Sequence, residues 1–401
     1  MLQLRDMGTP VPSPGNGARP AFSVAPGRVN LIGEHTDYNE GFVLPAAIDR
    51  VIVVAFRVRG DRQMHVRSLT FQEEDFFSLD SVELLPQGTW RNYVRGVASA
   101  LLEAGHSLIG ADLTIQGNVP IGAGLSSSAA LEVAVLGGLT SAAELSVPPH
   151  EAARLAQEAE RRFAGVNCGI MDQMTAVMGR RDHALVIDCR TLEVQAVPLD
   201  LERRGIRIVL ANTGVARSLS GSAYNERRDE CARATAILAE ATGRAVRSLR
   251  DVTPEDIALH GHALPRPLQR RIRHVVSENG RVLEAADVLR GGDMAAFGEL
   301  MYASHQSLRD DFEVSCPELD LMVDLTQHLE GVLGARMTGA GFGGCTVNLV
   351  REEAVDSFRA QVIEPYRRRT GLAAEMYHCG TADGLSVVGT GDPAVRDLRW
   401  D

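Results

Sequence analysis

A chain of 401 residues is too long for one ordinary hydrophobic core and suits two domains. With 45% hydrophobic and 23% charged residues and a formal net charge of −11, it has a soluble globular composition. That balance argues against a nucleic-acid binder or a polybasic membrane protein. All 41 basic side chains are arginine, so every mechanism that needs a lysine is excluded: Schiff-base and pyridoxal enzymes, P-loop nucleotidases and protein kinases.

The first twenty residues are rich in Pro and Gly without an apolar run, and are expected to be a flexible extension rather than a targeting segment. Strands are predicted over 51–58 and 111–116. Helices are predicted over 92–104 and 150–163, with a long buried one over 127–143. Residues 183–188 and 206–211 read as strands. Past residue 223 the character changes: 226–242, 265–290, 294–309 and 317–329 carry helical periodicity. A Gly-rich strand region over 337–350 and a short strand over 385–388 close the chain. Strands and helices alternate without a regular βαβ repeat, so the fold class is α+β, with a boundary near residue 195, give or take ~15. Cys168, Cys189, Cys231, Cys316, Cys345 and Cys379 form no Cys-x-x-Cys pair, which fits free thiols in a reducing cytoplasm. No stretch reaches the ~18 apolar residues needed to span a bilayer.

Four segments carry chemistry. Residues 25–38 read Ala-Pro-Gly-Arg-Val-Asn-Leu-Ile-Gly-Glu-His-Thr-Asp-Tyr, a glycine turn followed by clustered charge. Glu34, His35 and Asp37 do not pack a core, but they suit a polyhydroxylated ligand: carboxylates accept from hydroxyls and imidazole donates or accepts. The plainer alternative is a solvated turn.

Residues 119–130 read Val-Pro-Ile-Gly-Ala-Gly-Leu-Ser-Ser-Ser-Ala-Ala and run into the buried helix. Gly122 and Gly124 let the backbone, with Leu125, approach a ligand. Ser126, Ser127 and Ser128 offer hydroxyls at a helix start, where unpaired N–H groups favour phosphate. A serine there also suits magnesium. An ordinary serine N-cap is the alternative.

Residues 160–173 read Glu-Arg-Arg-Phe-Ala-Gly-Val-Asn-Cys-Gly-Ile-Met-Asp-Gln. Asp172 stands among apolar neighbours, where a carboxylate needs a partner, and Arg28 is the expected one. It reads as a base or electrostatic partner for a hydroxyl nucleophile, or as a helix N-cap. Residues 338–345, Thr-Gly-Ala-Gly-Phe-Gly-Gly-Cys, formally satisfy G-x-G-x-x-G. A strand follows rather than a helix, which rejects the dinucleotide reading and leaves a tight glycine hairpin or a substrate-side loop.

These segments, taken together and in this order, resemble the galactokinases of the GHMP family of small-molecule kinases. Residues 27–38 resemble their sugar-recognition motif without a break. Residues 119–130 resemble the GHMP phosphate loop, 168–173 a galactokinase segment without mismatch, and 338–345 the third GHMP motif. Residues 274–289 and 304–320 resemble the C-terminal half. The resemblance runs from about residue 22 to 388 and implies a two-domain fold with the active site between the domains. The first, over 21–195, would be ribosomal-protein-S5-domain-2-like; the second, over 196–401, a ferredoxin-like α/β sandwich.

The resemblance further implies ATP-dependent phosphorylation of the C1 hydroxyl of D-galactose. Glu34, His35, Asp37, Gly169, Asp172 and Tyr224 would hold the sugar, and Trp90 and Tyr93 would surround the adenine. Ser128 and Glu160 would hold Mg²⁺. Asp172 would serve as an early base or a late proton acceptor, with Arg28 favouring its ionised form or stabilising the transferring group. Arg161 departs from the common His after that glutamate. A cytoplasmic monomer without nucleic-acid or membrane partners is implied as well. Rival readings are a GHMP kinase for N-acetylgalactosamine, arabinose or another alcohol, and a non-catalytic galactose sensor, which the undamaged loop at 122–130 disfavours.

Overall fold

The computed structural model describes residues 21–215 and 220–389, together with Asp392 and Val395. The extension expected over the first twenty residues lies outside the described residues.

The first half builds a sheet from β1 (Ala21–Ile32), β2 (Phe42–Val58), β3 (Gln63–Ser68), β4 (Glu73–Ser78), β5 (Ala111–Gly117), β6 (His183–Asp188) and β7 (Val194–Pro198). Its main order is β12-β1-β2-β5-β3-β4, with β12 (Ser386–Val388) returning from the far end of the chain to pair with β1. β6 pairs with the start of β2 and carries β7. Helices α1 (Arg91–Glu103), α2 (Ser127–Ala142), α3 (Pro149–Ala159) and α4 (Met171–Met178) belong to this half. Val54, Phe56, Val66 and Leu113 of the sheet pack with Val94, Leu101, Val135 and Leu139 in one core.

The second half holds α5 (Ser220–Thr242), α6 (Pro254–His260), α7 (Arg266–Gly291), α8 (Met294–Ser307) and α9 (Pro317–Asp324) between β8 (Ile206–Asn212) and the hairpin β9 (Val332–Thr338)–β10 (Cys345–Arg351). Then α10 (Val355–Phe358) runs through a π turn into α11 (Glu364–Thr370), and β11 (Glu375–Cys379) completes an antiparallel sheet of order β11-β8-β10-β9. This is the β-α-β-β-α-β arrangement of a ferredoxin-like sandwich. A second core joins the two sheets, uniting Leu31, Ile32 and Ile48 with Ile208, Val282, Phe297 and Val347.

Several expectations need correction. The glycine turn expected within 25–38 falls at Gly33, whereas Gly27 sits in a bulge inside β1, where the pairing with β2 shifts between Pro26 and Arg28. A Cβ on Gly27 would stand 2.7 Å from the Leu125 carbonyl, so glycine is needed for close approach rather than for a turn. The strand expected from residue 51 begins at Phe42, its first half disguised by Pro45. The helices expected to reach 163 and 309 end at Ala159 and Ser307, each in a π turn, and the one expected to reach 329 ends at Asp324. Among the described residues no helix is long and apolar enough to cross a membrane, and the six cysteines are free.

Candidate active site

β1 delivers the sugar-motif residues into a loop that helix α7 grips from the other half of the chain. Gly33, at φ +101°, makes the sharp exit from the strand; a Cβ there would meet Val282 and the backbone of Phe42. Its N–H donates to Glu278 Oε1 at 2.9 Å. His274 Nε2 donates to the Glu34 carbonyl at 3.1 Å, and Phe42 N–H donates to Asn279 Oδ1 at 2.8 Å. Glu34 itself is buried, its Oε1 accepting from Gly339 N–H at 2.6 Å and Thr338 Oγ1 at 3.3 Å. The glycine loop over 338–345 is therefore a hairpin whose near end clasps the sugar motif.

His35 donates from Nε2 to the Ala340 carbonyl at 3.2 Å, which leaves Nδ1 to accept from Tyr38 Oη at 2.9 Å. Burial, helped by nearby His274, pushes the imidazole down to about 3, so it is neutral and both nitrogens are engaged within the protein. The ring stands 4.8 Å from Phe312 and 5.6 Å from Tyr224, and Tyr38 meets Tyr224 edge-on at 5.4 Å. His35 is thus part of an aromatic wall. Asp37 sits against Gly169, where a Cβ would fall 1.8 Å from Asp37 Oδ2. Burial, then the neighbouring Asp172 carboxylate, pushes Asp37 up to about 6.

Asp172 lies in the first turn of α4, one residue past the N-terminal Met171, and is not its N-cap. Arg28 grips it with both faces of its fork, Nε to Oδ1 at 2.9 Å and Nη2 to Oδ2 at 3.0 Å. The third arm, Nη1, donates to the Gly124 carbonyl at 2.6 Å, and Arg28 N–H donates to the Leu125 carbonyl at 3.1 Å. One arginine thereby ties the sugar strand, the carboxylate and the phosphate loop together. Ser126, left-handed at φ 58°, precedes α2 without capping it; its hydroxyl donates to Asp172 Oδ2 at 2.5 Å. No backbone N–H of α2 bonds to that hydroxyl, so the serine N-cap alternative does not hold.

Gly122 and Gly124 take φ +73° and +85°, and Gly122 faces open space. The loop ends where Ser127 and Ser128 open α2 with its free N–H groups. Glu160 begins the π turn after α3 and faces this end. It accepts from Gln173 Nε2 at 2.6 Å and from Cys168 Sγ at 3.3 Å. Burial and then the Asp172 charge hold its carboxyl above the usual range. Glu132, wholly buried in α2, reaches the same Gln173 amide at 3.3 Å and leaves its Oε1 without a partner. Among the described residues no group of three or more His, Cys, Asp or Glu is arranged to hold a metal.

The two aromatics expected at the adenine have different neighbours. Trp90 donates from Nε1 to Glu73 at 2.9 Å and lies parallel to Phe71, ring centres 6.1 Å apart. Tyr93, on the next turn of α1, has its phenol pushed up by burial and by Glu160 and Glu132 instead. Glu278, His274, Asn279, Phe312, Gln173 and Glu132 are not among the site residues anticipated from sequence. Two signals pointed to some of them: a lone glutamate inside the apolar helix at 127–142, and polar residues at helical spacing along one face of α7.

Three family descriptions match the chain: the galactokinase galactose-binding signature over residues 15–58, the GHMP kinases N terminal domain over 92–180 and the GHMP kinases C terminal domain over 284–368. The galactokinase of Roseiflexus sp. (strain RS-1) is 52% identical over 91% of this chain and 92% of its own. That of Chloroflexus aggregans is 51% identical over the same shares. A crystal structure of Lactococcus lactis galactokinase complexed with galactose superposes with a TM-score of 0.87 at 39% identity, covering 92% of this chain and 95% of the other. A mevalonate kinase, at 17% identity and TM-score 0.65, shares the fold. With a sugar-motif strand, a phosphate loop and a two-sheet α+β architecture that agree with these relatives along nine-tenths of its length, the chain belongs to the galactokinases of the GHMP kinase family.

Proposed function

We propose that this chain transfers the γ-phosphoryl group of ATP to the C1 hydroxyl of α-D-galactose, giving α-D-galactose 1-phosphate and ADP. The observation that carries this reading is the cluster of Arg28, Asp172 and Ser126, lodged between the sugar motif and the phosphate loop. Ser126 and Arg28 Nη2 engage Asp172 Oδ2 and Arg28 Nε engages Oδ1, so the carboxylate is held by both oxygens where the C1 hydroxyl would deliver its proton. Arg28, already bonded to the Gly124 carbonyl, holds Asp172 in place.

Asp37, Glu34 and Tyr224 supply polar contacts to the sugar, with Gly169 giving Asp37 its room and His35 walling the pocket. Contacts of this kind discriminate epimers, because a misplaced hydroxyl leaves a buried partner unpaired. Gly122, Gly124, Leu125 and the serines at the start of α2 receive the phosphates, and Trp90 with Tyr93 flanks the base. Ser128 and Glu160 fit magnesium, since both offer hard oxygens and the ion takes its remaining ligands from phosphate and water. Bound there, it neutralises charge on the phosphates.

The reading also includes a division at 21–195 and 196–401, supported by β7 ending at Pro198 and the second sheet opening at Ile206, with strand β12 returning to the first sheet. It includes a monomer in the cytoplasm, the second supported by free cysteines. A coupled ADP-release assay with Mg·ATP tests it against D-galactose, D-glucose, N-acetylgalactosamine and L-arabinose. Galactose-selective turnover is expected. Selective turnover of another sugar would move the specificity, and galactose binding without any turnover would overturn the kinase reading.

A further inference from the structure

Strand β9 places Arg336 behind the sugar motif, in a setting that packing alone does not explain. Its side chain is fully buried. Nη1 donates to the Asn30 carbonyl at 2.8 Å and forms an ion pair with Glu34 Oε1 at 3.6 Å, whereas Nε and Nη2 have no partner. Asn30, on β1, likewise leaves both atoms of its side-chain amide unpaired. A guanidinium taken wholly out of water is costly, and an apolar side chain of the same volume would fill the space at less cost. The charged groups facing it are few: Glu34, Glu278 and, with like sign, Arg281. Glu278 is already engaged by Gly33 N–H, Ser304 and Arg281. Glu34 is therefore the carboxylate that Arg336 serves.

All three partners found on the Glu34 carboxylate, Arg336, Thr338 and Gly339, converge on Oε1 and come from β9 and the turn that follows it. Neither of the two hydrogen bonds falls on Oε2. We propose that Arg336 is a positioning residue for sugar recognition: it locks Glu34 through Oε1 so that Oε2 stays a fixed acceptor for a substrate hydroxyl. The selectivity of a loop in the first half of the chain is thus set by an arginine some 300 residues later (|i−j| = 302 from Glu34). The inference rests on Glu34 being a sugar contact, as read above.

The test is a double-mutant cycle of wild type, Glu34→Gln, Arg336→Met and the pair, reading KM for galactose and for ATP and the galactose Kd by calorimetry. Arg336→Met is expected to raise the galactose KM and Kd ~10–100-fold with the ATP KM unchanged, the scale of a hydrogen-bonded charge. In the Glu34→Gln background the same change is expected to add less than about twofold. Equal effects in both backgrounds, or parallel shifts for galactose and ATP, would assign Arg336 a merely structural role and overturn the proposal. An unimpaired Glu34→Gln would instead remove Glu34 from the sugar site, and the proposal with it. If Arg336→Met does not fold, Arg336→Lys enters the cycle: it keeps the charge but loses the fork, so a severalfold rise in galactose KM alone is expected, and an unchanged value overturns the idea.

Discussion

The sugar loop over 33–42 and the phosphate loop over 119–128 meet at Arg28 yet are held by different means. In the sugar loop, Gly33 bonds to Glu278 across 245 positions, Phe42 to Asn279 across 237, and Glu34 to Gly339 across 305. Its residues are mostly buried. In the phosphate loop Ile121 is 61% exposed, Gly122 touches nothing, and the backbone anchor runs through Arg28. The difference follows from the ligands. Telling one sugar epimer from another needs directional partners fixed to fractions of an ångström, which only burial and tertiary bonds supply. A triphosphate needs an open row of N–H donors at a helix start, which a short glycine-serine run supplies by itself.

Breaking the junction between the two loops should have the largest effect. Asp172→Asn is expected to lower kcat ~10²–10⁴-fold, as for loss of an activating base, while calorimetry still finds galactose bound. Near-normal turnover would remove Asp172 from proton transfer. Gly169→Ala acts on the sugar side alone: its Cβ would stand 1.8 Å from Asp37 Oδ2, and displacing that carboxylate is expected to cost ~10²-fold in kcat/KM for galactose with the ATP KM unchanged. A matching change in both constants would mean that the loops are not separate devices.

Ser128→Ala acts on the other side. A rise of ~10-fold in the Mg·ATP KM with unaltered galactose Kd is expected, on the scale of one charge-assisted contact. Acidification supplies the mildest probe. Asp37 is raised to about 6, so it is protonated below that pH and loses its role as a pure acceptor. kcat/KM for galactose should therefore fall as pH drops through about 6, by roughly tenfold per unit, and Asp37→Asn should flatten that limb. A limb unchanged in Asp37→Asn would assign it to another group.

How much was legible varied with the kind of device. The geometry of the glycine-serine loop was legible, because its pattern is local: two glycines, three serines and a helix start lie within eight residues. The fold class and most helices followed from periodicity. β1 did not, since Pro26 and Gly27 break a strand pattern unless a bulge absorbs them, and that bulge exists only because β2 lies alongside. Glu34, His35 and Asp37 stood out as a charge cluster, but their different situations did not: one carboxylate clamped by a distant hairpin, one imidazole with both nitrogens engaged, one carboxyl raised by burial and then by its neighbour.

By itself, then, the sequence determined the α+β class, the absence of lysine chemistry, the glycine-serine run before a helix start and the charge cluster after β1. Those properties are carried by residue type and by neighbours a few positions away. The tertiary structure alone decided which groups face one another: that Ser126 bonds to Asp172 rather than capping its helix, that Arg28 joins both loops, and that Arg336 backs Glu34. Those are long-range pairings between buried polar groups, and their energy depends on burial and distance, which no local pattern of residues encodes.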